Sequence, residues 1–192
     1  MSNDKSERWK TIQSKDLLIR DPWVKLSVQT VLLPNGNVVD DYYQIRLPEY
    51  AVIFAETTDG RVIIERQYKH GVGESSLVLP SGLIELGETP LDAAQRELLE
   101  ETGYSATDWR YIGNFVVNGN YGCGKAHIFI ARNASQVNEP NSGDLEAITV
   151  LTMNLQEILE ATYSGQVKVL SSAAAIALAS NSLLQAQTST YA

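Results

Sequence analysis

The spacing of apolar residues changes period several times along the chain, and each change marks an element. Residues 1–8 are polar and are expected to be flexible. Residues 23–33 alternate loosely, residues 34–37 (PNGN) form a turn signal, and residues 38–47 supply a second arm. That pattern predicts an antiparallel hairpin near the N-terminus. A second hairpin is expected from the apolar run 51–56, the turn Thr58-Asp59-Gly60 and the arm 61–67. Residues 71–76 read as a loop, and 77–79 as a short strand that stops at Pro80. The period then shifts to that of a helix. Thr89 suits its N-cap, Pro90 its first position and Gly103 its stop, with Leu91, Ala94, Leu98 and Leu99 as the buried stripe. Strands are predicted at 109–117, 126–131 and 147–152, with a glycine-rich loop at 119–124. Helices are predicted at 154–161 and 171–184, and 185–192 as a flexible tail. No repeat or linker interrupts residues 9–184, so they read as one α/β domain with helices packed on a mixed sheet.

Composition narrows the functional classes. A chain of 192 residues with 44% hydrophobic content can bury one substantial core. Its net charge of -8, from 23 acidic and 15 basic residues, argues against nonspecific nucleic-acid binding. There is no apolar run of membrane-spanning length, no apolar signal core at the start, and a single cysteine, Cys123. The expectation is a soluble cytoplasmic protein with neither a membrane nor a nucleic-acid partner. An acidic protein that acts on an anionic substrate needs bridging cations or a local basic patch.

Residues 82–104, GLIELGETPLDAAQRELLEETGY, concentrate the candidate chemistry. Glu97 and Glu101 stand four apart on the predicted helix and share a face, which Glu100 borders. Carboxylates held this close repel one another unless cations intervene. Mg²⁺ accepts a few carboxylates together with substrate phosphates. Arg96 could pair with Glu88 and tie the loop to the helix. Each glutamate taken singly reads as part of a solvated helix face. The N-cap, the terminating glycine, the arginine and the glycine-containing loop jointly oppose that reading.

The segment resembles the signature of the Nudix hydrolase family, with Gly82, Glu88, Arg96, Glu97, Leu98, Glu100, Glu101, Gly103 and Tyr104 at the family's spacing. The resemblance implies a Nudix α/β/α sandwich with a mixed sheet, carrying the N-terminal hairpin. It also implies divalent-metal-dependent cleavage of nucleoside diphosphates linked to another group, with Mg²⁺, or Mn²⁺ in its place. In that reading Glu97, Glu100 and Glu101 are metal-side carboxylates, the carbonyl of Ser81 is a further ligand, and Arg96 and Glu88 are mainly structural.

Outside the signature the resemblance is looser and leans to ADP-ribose and nucleotide-sugar pyrophosphatases. It rests on Leu33-Pro34-Asn35-Gly36, on Arg66-Gln67-Tyr68-Lys69-His70, on the segment from Leu79 to Glu85 and on 165–179. By that resemblance Lys69 contacts the diphosphate. Arg66 assists only if it faces inward, and strand alternation opposes both facing the same way. Glu146 is implied as a metal ligand or base, with Asp144 at the neighbouring acidic position. Trp23 is a candidate base-stacking residue with a core role as its default, and a homodimer through the N-terminal strands is implied. His127, in an apolar strand, reads as structural. Val78 stands where many ADP-ribose-type members carry glutamate, and residues 118–125 lack their characteristic proline. Against these departures, the resemblance as a whole still puts ADP-ribose first in a set of nucleoside diphosphate sugar substrates that includes GDP-mannose. A noncatalytic nucleotide-binding regulator is the contrasting class.

Overall fold

The computed structural model describes residues 8–143, 145 and 147–181. Two compact units divide them. One takes the chain up to Pro48 together with Val116–Lys125, and the other takes Glu49–Phe115 and the chain from Ala126 onward.

The N-terminal unit is built on a three-stranded antiparallel sheet in the order β1 (Lys10–Arg20), β2 (Val24–Leu32), β3 (Val38–Arg46). The predicted hairpin is β2–β3, closed at the Pro34–Asn37 turn by a bond from Leu33 N–H to Asn37 O of 2.8 Å. Strand β1 is an addition to the predicted set. All eleven of its residues are exposed, so it has no buried face and leaves no alternation to read. It is held by its ladder to β2 and by the Lys25–Asp16 ion pair at 2.8 Å.

The larger unit centres on β4 (Glu49–Thr57) and β5 (Val62–Lys69), the second predicted hairpin. They belong to an eight-stranded sheet with the path β11–β5–β4–β10–β8, where β6 pairs with β5, β7 with β4 and β9 with β10. The predicted strands at 77–79, 109–117, 126–131 and 147–152 appear as β6 (Glu74–Val78), β9 (Asp108–Asn118), β10 (Cys123–Gln136) and β11 (Thr149–Met153), while β7 (Ser81–Leu83) and β8 (Tyr104–Ser105) are further additions. The helices are α1 (Pro90–Thr102), α2 (Leu155–Tyr163) and α3 (Leu170–Ser180). No helix of the described residues is long and apolar enough to cross a membrane.

Alternation along β4 and β5 sorts their side chains between two cores. Ala51, Ile53, Ala55 and Ile63 pack with Ala93, Ala94 and Leu98 of α1. Val52, Phe54, Val62 and Ile64 pack with Ile158 of α2 and Ala175, Ile176 and Ala179 of α3. Helices thus cover both faces of the sheet, which is the expected α/β/α sandwich. One detail of the stripe differs: Leu91 is 39% exposed, and Ala93 takes the buried place in the first turn.

Helix α1 carries the cap and stop that its sequence predicts. Thr89 Oγ1 accepts from Asp92 N–H at 3.2 Å, and Asp92 reaches back to the Thr89 N–H, which completes a capping box. Gly103 ends the helix at φ 75° and donates to Leu99 O at 2.8 Å. A Cβ at Gly103 would lie 2.1 Å from Asn138 O, so conformation and close approach both require glycine.

Candidate active site

Strand β7 and helix α1 bring the signature residues together. Ser81 and Gly82 pair with Val52 and Ala51 of β4, which places the β7 backbone beneath α1. A Cβ on Gly82 would stand 1.9 Å from Glu97 Cδ and 2.0 Å from its Oε1. The missing side chain is therefore the space that the Glu97 carboxylate occupies. One turn later Glu101, only 6% exposed, accepts the Ser81 N–H at 2.8 Å. The two carboxylates thus press against consecutive residues of one strand.

Arg96 organises the acidic side chains. Its Nε and Nη2 donate to both oxygens of Glu88 at 2.9 and 3.0 Å, a bidentate fork. Nη2 also donates to Leu83 O at 2.9 Å, and Nη1 to Glu97 at 2.7 Å and Glu100 at 3.1 Å. Glu88 additionally accepts the Glu85 N–H at 3.0 Å, so the loop is tied to the helix through one guanidinium. The hydrogen bond from Arg96 holds the Glu88 carboxyl below its ordinary value, and the Glu85 N–H adds to this. Reciprocally, Glu88 first and then Glu97 and Glu100 raise the guanidinium above its usual range.

Glu97, Glu100, Glu101, Ser81 and Gly82 line one side of a cleft of about 490 Å³, together with Lys69 and Gln67 of β5. Lys69 therefore faces the carboxylates. Arg66 lines a different hollow with Glu74, Ser75, Gln166 and Lys168, because neighbours of opposite parity on β5 face opposite sides of the sheet. Trp23, in the N-terminal unit, is 64% exposed, so the core role taken as its default is not what the structure shows. His127 is buried. Its Nε2 lies 2.7 Å from Glu49 Oε2, and its Nδ1 lies 3.1 Å from the Tyr111 hydroxyl. Asp144 and Glu146 lie outside the described residues. The segment before them reaches the cleft, with Ser142 on its wall and Asn141 N–H donating to Glu100 O at 2.7 Å.

Among the described residues, no three His, Cys, Asp or Glu side chains are gathered as a ready cation-binding group. The contacts above give the reason: Arg96 draws Glu97 and Glu100 to itself, and the Ser81 N–H holds Glu101. The donor set is nonetheless the hard oxygen chemistry that Mg²⁺ takes. The cleft also holds one residue that sequence reasoning did not single out as a site residue. Gln67 is 4% exposed, and its amide oxygen has no hydrogen-bond partner among the described residues. The signal available for it was parity, since Gln67 is two residues from Lys69 on a predicted strand arm.

Residues 46–172 match the model of the NUDIX domain, and residues 9–45 that of the nucleoside diphosphate sugar hydrolase N-terminal domain. The chain is 31% identical over 164 residues to an ADP-ribose pyrophosphatase of Bacillus subtilis, covering 85% of this chain and 88% of that one. It is 29% identical over 138 residues to a methanol dehydrogenase activator of Bacillus methanolicus, covering 71% and 74%. A crystal structure of an ADP compounds hydrolase superposes with a TM-score of 0.77 over 94% of this chain and 96% of that one, at 20% identity, a likeness of fold. With about two thirds of its length inside that domain model and the signature helix folded as the spacing requires, the chain belongs to the Nudix family and is a pyrophosphohydrolase that cleaves diphosphates.

Proposed function

We propose that the protein hydrolyses the diphosphate of a nucleoside diphosphate sugar, with ADP-ribose the leading substrate, and that it does so with Mg²⁺ or Mn²⁺. The observation that carries this reading is the cleft that Lys69 lines together with Glu97, Glu100 and Glu101. The N-terminal domain match and the ADP-ribose pyrophosphatase relative favour a sugar-linked diphosphate.

In this reading Glu97, Glu100, Glu101 and the Ser81 carbonyl hold the cation, joined by Glu146. A bound divalent cation supplies positive charge against the diphosphate and lowers the pKa of water. Lys69 places the diphosphate by charge. Arg96 and Glu88 hold the loop and helix in register and shield the carboxylates from one another. Asp144 or Glu146 takes the proton of the attacking water. ADP-ribose then yields AMP and ribose 5-phosphate. Arg66, which lines a different hollow, has no part in this reading. Trp23 is assigned to stacking on the base. A cytoplasmic homodimer through the N-terminal strands belongs to the same proposal, supported by Ile12, Leu17, Leu18 and Ile19 standing exposed on β1.

Steady-state hydrolysis of ADP-ribose, GDP-mannose, UDP-glucose and oxidised nucleoside triphosphates, with Mg²⁺ and with chelator, tests the substrate and the metal together. The expected result is Mg²⁺-dependent release of AMP from ADP-ribose with the highest kcat/KM, abolished in Glu101→Gln. Preference for another nucleotide sugar would replace ADP-ribose. Turnover unaffected by chelator would remove the metal.

A further inference from the structure

The unpartnered amide oxygen of Gln67 is the feature that the proposed chemistry leaves unused. Parity on β5 fixes where this side chain points. Ile63 packs against α1, whereas Val62 and Ile64 pack against α2 and α3, so Glu65, Gln67 and Lys69 continue the α1 side. Gln67 and Lys69 both line the acidic cleft, and Arg66 between and behind them does not. A buried polar atom without a partner costs stability unless something outside the protein's own hydrogen bonds satisfies it. The cleft's own donors, Lys69, Arg96, Tyr50, Ser81 and Ser142, make no bond to this oxygen, and its carboxylates, Glu85, Glu97, Glu100 and Glu101, accept hydrogen bonds and cannot donate to it. A hydrated divalent cation, drawn in by those carboxylates, is a donor that can reach it.

We propose that Gln67 is a positioning residue for the cation, an inference that rests on the divalent-metal reading above. Its amide oxygen would accept a hydrogen bond from a water of the cation's hydration shell and so help to hold the hydrated ion in the cleft that Glu101 and Lys69 also line. Side chains that orient a metal's ligands from outside typically change its affinity by about 10- to 100-fold when removed.

Mn²⁺ binding to the metal-free protein, followed by electron paramagnetic resonance, tests this without reference to turnover. Gln67→Met keeps the volume and removes the acceptor, and Gln67→Glu keeps an oxygen in place. For Gln67→Met the expected result is Mn²⁺ binding weakened about tenfold. Its metal-free Tm should be no lower than wild type, because an unsatisfied polar atom has been replaced by an apolar one. Gln67→Glu should bind Mn²⁺ at least as well as wild type. The activity lost in Gln67→Met should return as Mg²⁺ is raised, with little change in KM for the nucleotide.

Equal Mn²⁺ affinity in Gln67→Met and wild type would overturn the inference. So would a Tm that falls in the metal-free variant, which marks a structural amide. A raised substrate KM with unchanged Mn²⁺ affinity would overturn it too, since the amide would then serve the nucleotide directly. If the wild type bound no Mn²⁺, or Glu101→Gln bound it equally well, the divalent-metal reading itself would fail and this inference with it.

Discussion

Gly82→Ala isolates the geometry on which the candidate site depends. The backbone at Gly82 is not in the left-handed region, so alanine suits it locally, and the whole effect comes from what the new methyl meets. It would stand 1.9 Å from Glu97 Cδ, about half a normal carbon–carbon contact. Glu97 must swing away by more than an ångström, which breaks its 2.7 Å bond to Arg96 Nη1. Losing a charge-assisted bond of this kind costs about 1.5–3 kcal/mol. The restricted unfolded chain offsets roughly 0.4–1 kcal/mol of that cost. The net destabilisation is therefore about 0.5–2.6 kcal/mol, a Tm lowered by roughly 1–10 °C for a chain of this size. Activity should suffer far more, since displacing a reacting group by an ångström costs about 100-fold. Paired measurements of Tm and of kcat/KM for Mg²⁺-dependent hydrolysis check both parts. Activity within about threefold of wild type would refute the assignment of Glu97 to the reaction. A collapse of the fold would refute the claim that the effect is local.

Arg96→Lys cannot reproduce the fork to Glu88 while still reaching Glu97 and Glu100. Chemical denaturation should show it less stable by about 2 kcal/mol, with a larger proportional loss in kcat. Gly103→Ala combines a φ of 75° with a 2.1 Å approach to Asn138 O, and should lose at least about 2 kcal/mol with metal affinity retained by the folded fraction. Glu88 makes a pH-dependent contribution. Its carboxyl lies below the ordinary 4.5, so its contribution is complete above that value and is lost as pH falls through the lowered folded value. Thermal melts of wild type and Glu88→Gln from pH 7 to pH 3 should therefore differ most near neutrality and converge in acid. A gap that does not change with pH would contradict the ion pair.

The helix and its punctuation were legible in the linear sequence because their causes are local. Thr89, Pro90 and Gly103 act within a turn of where they stand, and a carboxylate spacing of four residues is a property of the helix itself. The β2–β3 and β4–β5 hairpins were legible for the same reason, through short turns between apolar arms. Strand β1 was not, since a fully exposed strand carries no burial pattern and exists through its ladder to β2. Tertiary structure alone decided that Gly82 is empty so that Glu97 can lie on it, because that contact joins β7 to α1. It also decided that Arg96 reaches Leu83 O, 13 residues away, beside the Glu88 partner that the sequence had suggested. Parity on β5 already separated Lys69 from Arg66. The isolation of the Gln67 amide oxygen became visible only when packing removed it from water and gave it no partner among the described residues.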